Sequence, residues 1–337
     1  MIRDGSSLPK VPVNYNANSG GLGDVLCAMP AIAYIKKHMS WVDPHFYVPD
    51  YALEIAKNVL PNTIIRPFSK GKEQWNPKFP ARVMANPPTV NVTSMGTHLT
   101  THAAMCFLDK ELPVEDRNYL QINFRKAAVD LTRFNLPERY VVLTTGYTAK
   151  VREWPAQHIN DTATYLVSRG ITPVYLGNKQ THIGVDTLEN GANANIVGRF
   201  NEEIDFSKGV NLIEKTTLME AAAIIAGSKA LLGVDNGLTH LAAMCGDVPI
   251  VIGYTTVKPE HRLPIRHSQL GFACYTVIPM AGLKCRFCQS NWEFVYNHDF
   301  RNCYYVERKL DDTIQCTQAM SAAKFIAHLE TILGETQ

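Results

Sequence analysis

The chain runs twice through the same local order: a short β-branched run, a turn rich in glycine or polar residues, an apolar helical stretch, and another β-branched run. That order constrains the fold most, because strands separated by helix-length segments pair in parallel and carry helices on the faces of their sheet. In the first series Val11-Pro12-Val13-Asn14-Tyr15-Asn16 leads through glycines into an apolar helix from Val25 to Lys37, and His45-Phe46-Tyr47-Val48-Pro49 reads as the next strand. The pattern continues through Thr63–Ile65 and Thr89–Val92, then passes into a polar, helix-permissive stretch from Leu112 to about Phe134. The second series opens with the strand Tyr140–Thr145 and a helix from Trp154-Pro155 to about Ser168. It goes on through the strand Thr172–Leu176, the helix Leu218–Gly227, the strand Ala230–Val234, the helix Thr239–Cys245 and the strand Val248–Ile252. Two doubly wound α/β domains are implied, divided near Leu136-Pro137-Glu138, where proline breaks the preceding helical pattern.

Size and charge agree with this. A chain of 337 residues, 46% of them hydrophobic, has apolar side chain enough for two cores. A formal charge of +2 excludes polyanion binding driven by bulk charge and leaves room for a local cation cleft that takes a phosphate. Residues 1–7 carry no apolar segment, and no later stretch reaches the roughly 18 apolar residues of a membrane helix. A cytoplasmic protein with no membrane span is therefore expected, its ligand in the cleft at the carboxyl ends of the strands.

Three constellations face that cleft. In Ser19-Gly20-Gly21-Leu22-Gly23-Asp24, the glycines Gly20, Gly21 and Gly23 let the backbone turn tightly and approach a ligand, and Asp24 falls at or near a helix start. The bland reading makes Asp24 a cap and the glycines turn chemistry. The spacing matches neither a dinucleotide fingerprint nor a P-loop. In Gly233-Val234-Asp235-Asn236-Gly237-Leu238-Thr239-His240, the amides of residues 236–239 would be the unpaired donors of a helix's first turn and suit a diphosphate. Here the bland reading is a capped helix after a strand. In Lys150-Val151-Arg152-Glu153-Trp154-Pro155, two cations follow a strand, with Trp154 as anchor and Pro155 opening a helix; such cations are more often solvated surface.

Taken together, and joined by Pro30-Ala31, Gly170–Gly177, Thr217-Leu218-Met219-Glu220 and Pro249–Thr255, these segments resemble the heptosyltransferases of glycosyltransferase family 9 over residues 20 to about 330. The resemblance implies the GT-B fold, two facing Rossmann-like domains. It divides the chain into an acceptor-side domain 1–136, a nucleotide-sugar domain 137–316, and a last helix, 317–337, returning to the first domain. It places Asp24 as the general base that takes the acceptor hydroxyl's proton in a single, inverting displacement on a nucleotide-diphospho-sugar, ADP-heptose by family default. Arg152 falls at the position of a phosphate-facing cation, with Lys150 two residues away as the alternative. Asn236, Gly237 and Leu238 match the diphosphate turn, Glu220 the ribose-binding acid, and Asp235 and His240 are motif residues of less defined role. The mechanism so implied uses no catalytic metal.

Eight cysteines fall into two sets. Cys27, Cys106, Cys245 and Cys274 are scattered among apolar neighbours and read as core thiols. Cys285, Cys288, Cys303 and Cys316 are spaced C-x2-C-x14-C-x12-C, which suits one tetrahedral four-thiolate metal site. Zinc fits the ligand type; a similar finger in autotransporter heptosyltransferases implies iron. Such a metal would pin the loop from Asn291 to Tyr305 without doing chemistry. That loop interleaves Trp292, Phe294, Tyr296 and Phe300 with Arg301 and His298, and could stack an acceptor or bury itself against a second protomer. The acceptor is left open as a glycolipid, a protein serine or a modified nucleic-acid base. The non-enzymatic alternative is a metal-finger binding protein on a transferase scaffold.

Overall fold

The computed structural model describes residues 9–17, 21–67, 80–83, 98–127, 129–147, 149–178, 182–183, 196–197, 202–264, 266, 274–278, 282–283, 285–290, 303–310 and 312–334. The first unit holds β1 (Val11–Asn16), α1 (Leu22–His38), β2 (Val42–Val48), α2 (Leu53–Val59), β3 (Ile64–Pro67), β4 (Ala81–Val83) and α3 (Leu99–Leu108). Its strands form one parallel sheet in the order β3-β2-β1-β4. The second unit holds β5 (Tyr140–Thr144), α4 (Ala156–Ser168), β6 (Thr172–Leu176), β7 (His182–Ile183), β8 (Ile196–Val197), β9 (Val210–Asn211), α5 (Leu218–Ala226) and β10 (Leu231–Val234). It continues with α6 (Gly237–Ala242), β11 (Ile250–Gly253), α7 (Pro259–Arg262) and β12 (Cys274–Val277). Six strands pair in parallel as β12-β11-β10-β5-β6-β9, while β7 and β8 form a separate antiparallel pair. The chain closes with α8 (Tyr304–Glu307), α9 (Gln315–Gln318) and α10 (Ala322–Leu333).

The continuous apolar runs of the second series follow from burial on both faces. In β5, Tyr140 and Val142 enter one apolar cluster while Val141 and Leu143 enter another, as the two-residue period of a strand requires. Leu231 and Leu232 of β10, and Ile250 and Val251 of β11, divide in the same way.

These two clusters are not one core per unit, as the size of the chain led us to expect. The larger runs from Val13 and Phe46 of the first sheet through α1 to Val142, Leu231 and Ile252 of the second. The smaller covers the far face of the second sheet around Trp154, Tyr175 and Phe325. The first core therefore passes through the seam between the units, with α1 against α6. Among the described residues, the stretch 112–134, read as helix-permissive, holds only the one-turn segments Val114–Asp116 and Thr132–Phe134. It is a connector, with Leu112, Tyr119 and Ile122 buried and the Ile122 amide donating to the Met244 carbonyl at 2.9 Å.

The last helix also differs from expectation. Instead of packing on the first unit, α10 lies on α4, β11 and β12, and Phe325 stacks on Trp154 with ring centroids 4.1 Å apart. The apolar stripe of α10 completes the far face of the second sheet, where Phe325 and Leu329 are fully buried. Among the described residues, no helix is long and apolar enough to cross a membrane.

Candidate functional site

The site forms where the N-termini of α1 and α6 meet across the seam. Helix α1 begins at Leu22, three residues before the sequence reading, because the Asp24 carboxylate reaches back and accepts the Gly21 amide at 2.8 Å. Asp24 is thus the third residue of the helix rather than its cap. Two of the glycines serve a different approach from the one expected. A Cβ on Gly23 would lie 2.9 Å from Cδ2 of His240, and one on Gly237 would lie 2.6 Å from Cβ of Leu22. These glycines let two helix ends touch each other; Gly20 lies outside the described residues.

Four charges gather at this contact. Arg152 Nη1 stands 3.5 Å from Asp235 Oδ2, His240 Nε2 stands 3.6 Å from Asp235 Oδ1, and Arg262 Nη1 stands 4.0 Å from Asp24 Oδ1. Burial alone would raise the Asp235 carboxyl, but His240 and the charges of Arg152 and Arg262 outweigh it and hold that group well below the usual carboxylate range. Arg152 also donates to Gln289 Oε1 at 3.0 Å, an acceptor it shares with the Thr256 hydroxyl. Lys150 turns away into an ion pair with Glu153 and is more than half exposed.

Behind the charges runs a buried polar chain. His240 Nδ1 lies 2.7 Å from the Tyr119 hydroxyl, which lies 2.7 Å from Cys27 Sγ. The two ring nitrogens of His240 thus bridge Asp235 and Tyr119, and the Tyr119 hydroxyl bridges the ring and the Cys27 thiol. Burial raises both the phenol and the thiol, so neither carries charge into the core. The chain links α1, the connector and α6.

The turn at residues 236–239, expected to take a diphosphate, is closed more fully than the sequence suggests. Asn236 Oδ1 accepts the Leu238 and Thr239 amides at 2.9 and 3.2 Å, so donors expected to be unpaired are already capped. Its Nδ2 donates to Thr144 Oγ1 and the Gly146 carbonyl, both at 3.1 Å. Gly233 is what lets Thr144 come this close, since any side chain there would collide with the Thr144 hydroxyl. Glu220 sits in the capping box of α5, accepting the Thr217 amide at 2.7 Å, and Arg133 Nη2 reaches both its oxygens at 2.8 and 2.9 Å.

Sequence reasoning missed Arg262, His98 and Tyr119. His98 caps α3 by accepting the Thr100 amide at 3.2 Å, and its Nε2 donates to the Leu263 carbonyl of the second unit at 2.7 Å. Little in the local sequence marks these residues, because each has a partner 92 or more positions away. Arg262 alone carried a faint signal, a cation following Pro259 beyond a buried strand.

Among the described residues, no three His, Cys, Asp or Glu side chains stand close enough to hold a metal ion. Cys285, Cys288, Cys303 and Cys316 are half-buried. They nevertheless share one neighbourhood: the Cys316 thiol is pushed up to about 12, first by burial and then by Cys288, Cys285 and Cys303. Residues 291–302, which carry most of the aromatic loop, lie outside the described residues. Of the scattered cysteines, Cys27 and Cys245 are buried and Cys106 half-buried.

Two parallel sheets with a charged cluster at the seam define an α/β protein of the GT-B class. Residues 77–282 match glycosyltransferase family 9 (heptosyltransferase), and the chain belongs to that family. Lipopolysaccharide heptosyltransferase 2 of Salmonella typhimurium is 30% identical over 117 residues, 35% of this chain and 31% of that enzyme. The chain's match thus spans about a third of the length of that relative. Its fold is similar to that of TibC, an iron-containing dodecameric glycosyltransferase from enterotoxigenic Escherichia coli, with TM-score 0.70 at 15% identity over 97% of this chain and 77% of TibC. A further TibC structure is a complex with ADP-D-beta-D-heptose, with TM-score 0.69, 15% identity and the same coverage of 97% and 77%. A family 9 glycosyltransferase from Veillonella parvula gives TM-score 0.60 at 14% identity, covering 99% of this chain and all of that one (100%).

Proposed function

We propose that this chain is an inverting glycosyltransferase that moves a sugar, heptose by resemblance, from an ADP-linked donor to an acceptor hydroxyl. One observation carries the reading. Asp24 commits Oδ2 to the Gly21 amide and leaves Oδ1 facing the guanidinium of Arg262, with Asp235 and Arg152 in the same cluster. A carboxylate fixed through one oxygen, with the other facing a cation but not hydrogen-bonded to it, is what a positioned base requires. In this reading the acceptor O–H gives its proton to Asp24 Oδ1 while its oxygen attacks the anomeric carbon. The bond from that carbon to the diphosphate breaks, and the nucleoside diphosphate departs with the bonding pair.

Arg152 is our choice over Lys150 for the phosphate-facing cation, since Lys150 is already paired with Glu153 and Arg152 stands 3.5 Å from Asp235. Gly237 and Leu238 would flank the diphosphate once Asn236 yields its cap. Asp235 and His240 hold Arg152 and the polar chain in place, and Glu220 would take the ribose by exchanging Arg133. Replacing Asp24 with Asn keeps the size and the bond to Gly21, so donor binding should persist while transfer falls by about 100-fold or more. Transfer at the wild-type rate would remove Asp24 from the mechanism. Absence of any ADP binding to the wild-type protein would favour the non-enzymatic binding protein.

The same reading assigns one structural metal, zinc or iron, to Cys285, Cys288, Cys303 and Cys316 on the strength of their C-x2-C-x14-C-x12-C spacing, and the four thiols would have to draw together from their places in this structure to hold it. Four thiolates leave no open coordination position, so the ion would pin the loop and take no part in transfer. Elemental analysis of purified protein should find one ion per chain, lost on replacing Cys285 and Cys288 by Ser. The finger loop is also our candidate contact between protomers, to be tested by sedimentation of the wild type and of that double variant.

A further inference from the structure

Arg262 belongs to none of the segments that carry the family resemblance, yet it stands beside Asp24 in the charged cluster of the site. Its side chain is about three-quarters buried, with 25% exposed, and lies 4.0 Å from Asp24. Its charge also reaches Asp235, Cys27 and Tyr119. A guanidinium locked onto a carboxylate lies at about 2.7–2.9 Å. At 4.0 Å Arg262 is held near Asp24 without being fastened to it, and it makes no hydrogen bond to any described residue. Its backbone, by contrast, is tethered. The Leu263 amide donates to the Pro259 carbonyl at 2.7 Å, and the Leu263 carbonyl accepts from His98 across the seam at 2.7 Å. A fixed base with an unfastened fork is a suitable holder for an anion that comes and goes.

The other sources of positive potential here are already engaged. Asn236 caps the Leu238 and Thr239 amides, and Arg152 divides its nitrogens between Asp235 and Gln289. Two guanidinium groups and two carboxylates leave the cluster close to neutral, so an arriving diphosphate must compete with a carboxylate for one of the cations. Arg262 is the cation with the weakest prior claim on it.

We propose that Arg262 is a second diphosphate-binding cation that exchanges its contact with Asp24 for the donor's phosphates, so that donor entry uncovers Asp24 Oδ1 for the acceptor hydroxyl. The proposal rests on the nucleotide-sugar reading above. It adds an order to the reaction: donor binds before acceptor, and departure of the diphosphate covers the base again.

Calorimetry of the full-length protein with ADP and with adenosine tests it. Arg262→Gln should weaken ADP by about tenfold to a hundredfold and leave adenosine binding unchanged, which also shows that the variant is folded. Arg262→Lys should fall between, as a point charge lacking the fork. The second arm needs no change at Arg262: Asp24→Asn removes the competing carboxylate and should tighten ADP severalfold. Unchanged ADP affinity in Arg262→Gln, or unchanged or weaker affinity in Asp24→Asn, overturns the proposal. A wild-type protein that binds ADP no better than adenosine overturns the nucleotide-sugar reading first, and this proposal falls with it.

Discussion

Acidification tests the seam through one side chain. His98 is half-buried between α3 and the Leu263 carbonyl, and its imidazole is pushed down to about 4, chiefly by the burial it has, with Arg262 and the neighbouring His240 and His261 adding and the Leu263 hydrogen bond opposing. An unfolded histidine titrates near 6.5. As pH falls below that value the unfolded chain takes up a proton that the folded chain refuses. His98 therefore costs no stability above about pH 6.5, and stability is lost progressively as pH falls toward 4. The loss from this residue reaches about 2 kcal/mol near pH 5. Replacing His98 with Asn keeps an acceptor for the Thr100 amide but is too short to reach Leu263, which should cost about 1 kcal/mol near pH 7. Urea unfolding near pH 7.5 and near pH 5 should then show the wild type losing about 2 kcal/mol more than the variant on acidification. Equal losses would refute the assignment of a neutral, half-buried His98 to the seam.

Other perturbations probe the same contacts. Gly23→Ala and Gly237→Ala should each destabilise by about 1–3 kcal/mol, read by thermal melting, although alanine is the better helix former by about 1 kcal/mol. Melting at the wild-type temperature would mean that α1 and α6 stand further apart. Tyr119→Phe leaves His240 Nδ1 and Cys27 without their shared partner, at a cost of about 1–3 kcal/mol by chemical denaturation; a neutral result would dismiss the buried polar chain. Trp154→Ala removes the stack on Phe325 and the indole bond to the Met320 carbonyl at 3.1 Å. It should cost about 3–5 kcal/mol and weaken ADP binding by loosening the Arg152 loop, and unaltered ADP affinity would separate that loop from the donor site.

What could be read from the residues in order is whatever depends on near neighbours. The strand Val11–Asn16, the helix around Val25–Lys37, the strand Thr172–Leu176 and the glycine and asparagine turns before α1 and α6 follow from β-branched runs, apolar periodicity and capping chemistry, all of which act within a few residues. Asp24, Asp235 and His240 were visible because each stands at a strand end or in the first turn of a helix, and Arg152 because it lies in the loop that follows a strand, where a parallel sheet presents its side chains to a ligand. Only the tertiary structure decided what those residues touch. It turned Arg152 inward and Lys150 outward, and spent the amides of α6 on Asn236. It also carried α10 to the second sheet and brought Arg262, His98 and Tyr119 to the seam from distant parts of the chain. The physical reason is that helix caps and strand faces are local commitments of the backbone. Which cation meets which carboxylate across two units depends on the close approach of α1 and α6, and neither segment encodes that distance alone.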